Sequence, residues 1–304
     1  MILVDAMMQV FRCAYSLEDL QNIDGRPTGM EFGFLMSMEA LRRYFRDDVI
    51  LCWEGKNNFR YDIDPNYKSS RRKKRKTGAR AACCVGNRLE EFKEFCKLVA
   101  ENAEQETLEG DDVIATLAER YSQTEPVIIY SGDKDLHQCV REPEARPAPE
   151  HSCYGVVQVK AYQFRTNPWD SKRISHKFWG LQPKNFNKWQ AWIGDKQTDD
   201  IPGCGVRGSR IAEALELGYD GYTVRNYDCL STKELFAVEH WFDSGRYEQN
   251  LKLVSLRLDP TIKVAQRDWQ PTKIRDYLNL MEIKSLKMCR DVGAGLGIKD
   301  DEEF

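Results

Sequence analysis

Five of the acidic side chains in residues 108–140, LEGDDVIATLAERYSQTEPVIIYSGDKDLHQCV, fall in two tight groups: Glu109, Asp111 and Asp112, then Asp133 and Asp135. Between the groups the pattern predicts a helix over 113–121 and a buried strand over 127–130. The second pair therefore leaves the C-terminal end of a strand, where α/β sheets place their binding residues. Five carboxylates at one sheet edge repel one another unless cations neutralise them. The stretch predicts a metal site for a substrate that is itself anionic. The ordinary alternative is that acids gather in first helical turns, where free amides and the macrodipole favour them. That accounts for one or two carboxylates, and less easily for the pair that follows the strand.

The strand-then-carboxylate arrangement occurs twice earlier. Residues 1–5, MILVD, read as a buried strand ending in Asp5, which is either a turn or cap residue or a metal carboxylate. Residues 48–53, DVILCW, read as the next buried strand and run into Glu54 and Gly55. Helices are predicted over 7–15 and 30–45, with a turn at 25–29 between them. A further amphipathic helix is predicted over 87–102, with Leu89, Phe92, Cys96 and Val99 recurring every three or four residues.

Net charge is uninformative here, since 48 acids against 45 bases give −3. Its distribution is not. Residues 65–89 hold nine Lys or Arg and no acid, including the run Arg71, Arg72, Lys73, Lys74, Arg75 and Lys76. A solvated loop is the bland reading of such a run. The sharper one is a phosphate-binding segment beside the acidic edge, with Tyr61 and Tyr67 as rings for stacking. Ten cysteines without C-x-x-C spacing or a signal peptide imply reduced thiols and a cytoplasmic protein, in a bacterium or a phage-infected host. No apolar run approaches membrane-spanning length, so no membrane partner is expected.

Residues 142–150 are proline-rich and predict an excursion, and 154–159 an edge strand. Trp169, Trp179, Trp189 and Trp192 are expected mostly as core residues. Asp195, Asp199 and Asp200 precede a glycine-rich turn and a helix from Ser209. Gly203, Gly205 and Gly208 would let backbone approach a phosphate at that helix's N-terminus, with Arg207 and Arg210 as cationic contacts. The tail predicts helices over 233–242, 247–256 and 269–280, and an acidic end at 298–304. The four histidines lack zinc-like spacing, and His137 is expected to be structural.

LEGDDVIATLA, SGDKDLHQ and GDKQTDDIPG, in this order, resemble the 5′-nuclease family of flap endonucleases, polymerase I 5′–3′ exonuclease domains and stand-alone phage enzymes. The resemblance covers residues 1 to about 217. It implies an α/β fold with a mostly parallel, PIN-like sheet, a basic arch at 65–88 and a helical helix–hairpin–helix-like lobe. The domains implied are a nuclease core over 1–192 and a duplex-binding lobe over 193–304, with the turn at 203–208. Asp5 falls at the family's first strand-end metal Asp, and Glu54 at the second, where Asp is usual. Glu109, Asp111 and Asp112 match its E-A-D-D element with Gly110 for Ala, and Asp133 and Asp135 its D-x-D element. Asp195 and Asp199 match the last pair, although 195–202 is one residue longer and Asp200 replaces Asn. Arg60, Tyr67, Lys68 and Arg71 match the positions that approach the scissile phosphate, with Arg72 to Lys76 beyond them. The glycine turn matches the element that grips duplex phosphates, often with K⁺, though Val206 stands where Gly is common.

The resemblance implies phosphodiester hydrolysis with two Mg²⁺ ions, Mn²⁺ substituting. Asp5, Glu54, Glu109 and Asp111 are expected on the first ion, with Asp133 shared or close by. Asp135, Asp195 and Asp199 are expected on the second, with Asp112 acting through water or from behind a ligand. The partners implied are DNA with a 5′ end, flap or nick, or an RNA–DNA hybrid, and a polymerase or single-strand-binding protein; the chain is expected to be a monomer. A non-catalytic binder of the same fold and a PIN-like ribonuclease remain the alternatives.

Overall fold

The computed structural model describes residues 1–71, 80–143, 154–159, 168–218 and 229–283. Arg72, Lys73, Lys74, Arg75 and Lys76, most of the proline-rich excursion and the acidic end lie outside the described residues. Contacts divide the chain into two compact units, Met1–Gly55 with Thr77–Ile114 and Asp259–Phe304, and Lys56–Lys76 with Ala115–Leu258. Position 193, the expected domain boundary, lies within the second unit at the end of a helix.

In the first unit, β1 (Ile2–Asp5) and β2 (Val49–Trp53) are buried along their whole length, as unbroken apolar runs require. They pair in parallel, and β2 pairs in parallel with β3 (Glu101–Glu104). β6 (Val264–Ala265) then runs antiparallel along β3, making this sheet mixed. Helices α1 (Ala6–Ser16), α2 (Gly29–Phe45) and α4 (Arg80–Val99) pack around it. Phe34 on α2 meets Phe92 on α4 edge-on at 5.0 Å between ring centroids.

The helix predicted to reach residue 102 ends at Val99. Asn102 donates to the carbonyls of Cys96 (3.3 Å) and Ala100 (2.7 Å), and its side-chain oxygen accepts from Trp53 Nε1 at 2.7 Å. Those bonds close the helix and hand the chain to β3.

A buried ion pair joins two helices of this unit. Glu31 on α2 is fully buried and paired with Arg88 on α4, which also donates to the Pro27 carbonyl. Tyr277 on α11 (Pro271–Leu280) donates to the same carboxylate at 3.4 Å. Burial pushes the Glu31 carboxyl up, against the opposing pull of Arg88.

The second unit pairs β4 (Val127–Tyr130) in parallel with β5 (Val156–Val159); α5 (Gly110–Tyr121) precedes β4. Its core joins Trp169, Trp189 and Trp192 to apolar faces of α6 (Ser171–Lys177), α7 (Phe186–Ile193), α8 (Gly208–Glu216), α9 (Thr232–Asp243) and α10 (Arg246–Val254). Trp179 departs from expectation: it is 57% exposed, with a left-handed φ of 53°. His137 is structural as expected, buried with Nδ1 2.6 Å from Gln158 Oε1 and stacked on Trp169. Among the described residues no helix is long and apolar enough to cross a membrane.

Candidate active site

Asp5 fills the cap role its position allowed. It ends β1 and caps α1, accepting from the Met8 amide at 2.9 Å. Asp5 lies opposite Cys52 in the sheet register, and Glu54 follows directly after β2. Burial first, then the charges of Asp5 and Asp111, hold the Cys52 thiol far above its ordinary range. Two carboxylates from distant parts of the sequence therefore act on the same strand end.

Glu109 precedes the first residue of α5, and its amide donates to Asp112 Oδ2 at 3.1 Å. Asp112 is fully buried, with its carboxylate turned back onto the backbone as in half of a capping box. Asp111 lies between them on the first turn. A methyl group added at Gly110 would sit 3.7 Å from the Cys52 carbonyl and the Glu54 amide, an ordinary contact. Gly110→Ala is thus expected to keep activity and stabilise by about 0.4–1 kcal/mol through the unfolded chain, read as a raised Tm.

In the second unit, the Asp135 amide donates to Asp133 Oδ1 at 3.0 Å and the Asp133 amide to Ser131 Oγ at 3.1 Å. Asp135 accepts from Gln190 Nε2 at 2.5 Å. Burial, then the charges of Asp133 and Asp199, push the Asp135 carboxyl up to about 7, against Gln190 and Lys134. A nearby cation reverses that tendency. Asp195 contrasts with it. Burial there is outweighed by hydrogen bonds from Lys134 Nζ at 2.6 Å and from Thr198, so its carboxyl is lowered. The residues 195–201 close on themselves through paired backbone bonds between Asp195 and Ile201.

The expected phosphate contacts divide. Arg60, the first residue of the short α3 (Arg60–Ile63), is 2% exposed, and its guanidinium donates to the carbonyls of Leu253 (2.7 Å) and Ser255 (3.2 Å). It staples the end of α10 instead of facing solvent. Tyr67 is likewise core, at 3% exposure, with its hydroxyl 3.4 Å from Asp199 Oδ2. Its ring lies 4.8 Å from Lys68 Nζ and is not presented for stacking on a base. Lys68 and Arg71 keep partial exposure, Arg71 pairing with Asp199 Oδ1 at 3.1 Å.

In the glycine turn, a Cβ on Gly203 would stand 2.0 Å from the Ile193 carbonyl oxygen, so that glycine serves an internal close approach. Gly208 packs against the ring of Trp189, which donates to its carbonyl at 2.8 Å. Gly205 alone of the three combines a left-handed φ of 83° with open surroundings. Arg207 and Arg210 stand at the start of α8, whose first turn holds no acid.

Residues 1–166 match the family described as 5′–3′ exonuclease, N-terminal resolvase-like domain. The chain belongs to the 5′–3′ exonuclease family. A 5′–3′ exonuclease from Aquifex aeolicus is 29% identical, over 93% of this chain and 92% of its own. Among solved structures, the bacteriophage T5 D15 flap endonuclease in a pseudo-enzyme–product complex with DNA and metal ions superposes with a TM-score of 0.63, at 17% identity over 98% of each chain. Flap endonuclease-1 from Methanococcus jannaschii does so at 0.60 and 12% identity, covering 98% of this chain and 91% of its own. The central mixed sheet with flanking helices thus resembles the 5′-nuclease fold.

For a 5′–3′ exonuclease, the donor chemistry of these sets fits a hard divalent cation: every candidate ligand is a carboxylate, and added positive charge would oppose the burial and the Asp133 and Asp199 charges that push the Asp135 carboxyl up. Among the described residues no group of three or more His, Cys, Asp or Glu side chains stands in coordinating geometry. In the second unit Lys134 pairs with Asp195 and Arg71 with Asp199. Sequence reading missed Lys134 and Gln190 as residues of the acidic set. Lys134 lay in plain view between Asp133 and Asp135; Gln190 had no local signal.

Proposed function

We propose that this chain hydrolyses phosphodiester bonds near the 5′ ends of DNA, as a divalent-metal-dependent exonuclease and flap endonuclease acting at flaps and nicks. The observation that carries the reading is the placement of carboxylates at strand ends, Asp5 ending β1, Glu54 after β2, and Asp133 and Asp135 after β4, in a chain whose first 166 residues match the family.

Asp5, Glu54, Glu109 and Asp111 are assigned to one ion, and Asp135, Asp195 and Asp199 to a second. Asp112, committed to the Glu109 amide, acts from behind a ligand. Mg²⁺ or Mn²⁺ bound there would supply an activated water and charge stabilisation for the leaving oxygen. Lys68 and Arg71 neutralise charge developing on the phosphate. The turn at Gly205 with Arg207 and Arg210 is assigned to duplex phosphates, with K⁺ as a candidate ion, in a helix–hairpin–helix-like lobe of a PIN-like fold. Metal ions and DNA in the T5 flap endonuclease complex support this reading.

The test is release of label from 5′-labelled and 3′-labelled flap, nicked and blunt DNA and an RNA–DNA hybrid, each with Mg²⁺ or EDTA. Short products from the 5′ side of DNA, abolished by EDTA, are expected. Tight binding without cleavage of any substrate would leave a bare binder; cleavage confined to RNA would make it a ribonuclease. Lys68→Ala is expected to slow cleavage about 100-fold while duplex affinity at fixed salt changes little. Equal loss of both would remove Lys68 from the chemistry.

A further inference from the structure

Asp200 stands where the family has Asn, one residue after Asp199 in the lengthened loop. Its φ is 60°, a left-handed conformation that Asp and Asn tolerate better than other side chains. From there its Oδ2 accepts the Ser70 amide at 2.8 Å and faces the Ser69 hydroxyl at 3.4 Å. Ser69, Ser70 and Arg71 form a helical turn, so the carboxylate serves as its N-cap from 130 residues away. The preceding residue is held by the same loop: the Lys68 amide donates to the Asp199 carbonyl at 3.0 Å, and Lys68 itself is left-handed at φ 53°. Arg71 closes the set on the Asp199 carboxylate. Every described residue from Tyr67 to Arg71 thus touches Asp199 or Asp200.

We infer that Asp200 is a positioning residue for cleavage: its carboxylate caps the turn that carries Lys68 and Arg71 and fixes both cations for the phosphate. This rests on the nuclease reading above. A misplacement of about 1 Å costs up to about 100-fold in rate, so the cap is expected to act on kcat more than on binding.

Asp200→Gly removes the acceptor without straining the left-handed backbone, and Asp200→Asn keeps both an acceptor and that conformation. Cleavage of a 5′-flap substrate, duplex affinity, the Mg²⁺ dependence of cleavage and thermal melting are measured for the parent and both variants. Asp200→Gly is expected to lower kcat by about 10- to 100-fold with KM and duplex affinity held within about twofold. Asp200→Asn is expected to restore the rate to within about threefold of the parent, with an unchanged Mg²⁺ requirement in both. Parental kcat in Asp200→Gly overturns the inference. So does an Asp200→Asn as slow as Asp200→Gly with a raised Mg²⁺ requirement, which marks a metal ligand. Melting of Asp200→Gly below the assay temperature, with Asp200→Asn intact, makes the residue one of folding and also overturns it. A parent that fails to cleave any DNA defeats the nuclease reading itself.

Discussion

Asp111→Asn is expected to reduce Mg²⁺-dependent cleavage by about a thousandfold or more, since several kcal/mol of charge stabilisation are lost at about tenfold per 1.4 kcal/mol. Asp111 lies on the first turn of α5 and bears on the same strand end as Asp5. The amide is isosteric, so the melting temperature should hold, and duplex affinity should be kept or rise as a negative charge facing a polyanion is removed. Asp112→Asn is the informative contrast. Its side chain accepts the Glu109 amide, and an Asn oxygen can do the same. Cleavage in that variant should stay within about tenfold of the parent. Equal collapse of the two would place Asp112 directly on the ion and undo the division proposed for this turn.

The second large effect is on stability. Arg88→Met leaves the Glu31 carboxylate buried beside Tyr277 without its guanidinium, which is expected to cost about 3–5 kcal/mol at neutral pH. The sign of its pH dependence follows from Glu31, whose folded carboxyl lies above its unfolded value. Such a group binds a proton more readily when folded. Its burial therefore costs least below the unfolded value of about 4.3, and the cost grows as pH rises toward the folded one. Removing Arg88 lifts the folded value further, so the gap between variant and parent should widen from acid to neutral pH. Urea unfolding at several pH values measures it. A constant gap would show that lost packing, not the carboxylate, dominates, and a paired Glu31→Leu, Arg88→Met change should recover much of the loss.

Apolar runs made the buried strands readable: β4 falls at 127–130 as the pattern requires, and β1 and β2 lie within one residue of their expected limits. Such runs carry their own evidence of burial. β3 carries none. Glu101–Glu104 holds two acids, an Asn and an Ala, and it is a strand because it pairs with Ile50–Trp53 and because Asn102 serves Trp53. Arg60 and Tyr67 mark a second kind of limit. Motif position assigned them to phosphate, yet the carbonyls that bind Arg60 lie 193 and 195 residues further along. Nothing local announces a partner so distant. Spacing likewise could not separate Gly205, with open surroundings, from Gly203, filled by the Ile193 carbonyl.

The short strand β6 sets an order on how this protein can be made. β3 gains its antiparallel neighbour only from residues 264–265, and the Lys97 carbonyl receives the Asp268 amide. All of Ala115–Leu258 is synthesised before those residues leave the ribosome. Until then the nascent first unit holds β3 with an unpaired edge, the kind of surface on which strands of other chains add. Expression trimmed before residue 259 would therefore yield aggregation instead of a smaller working unit, and residues 264–268 act as the latch of the first unit.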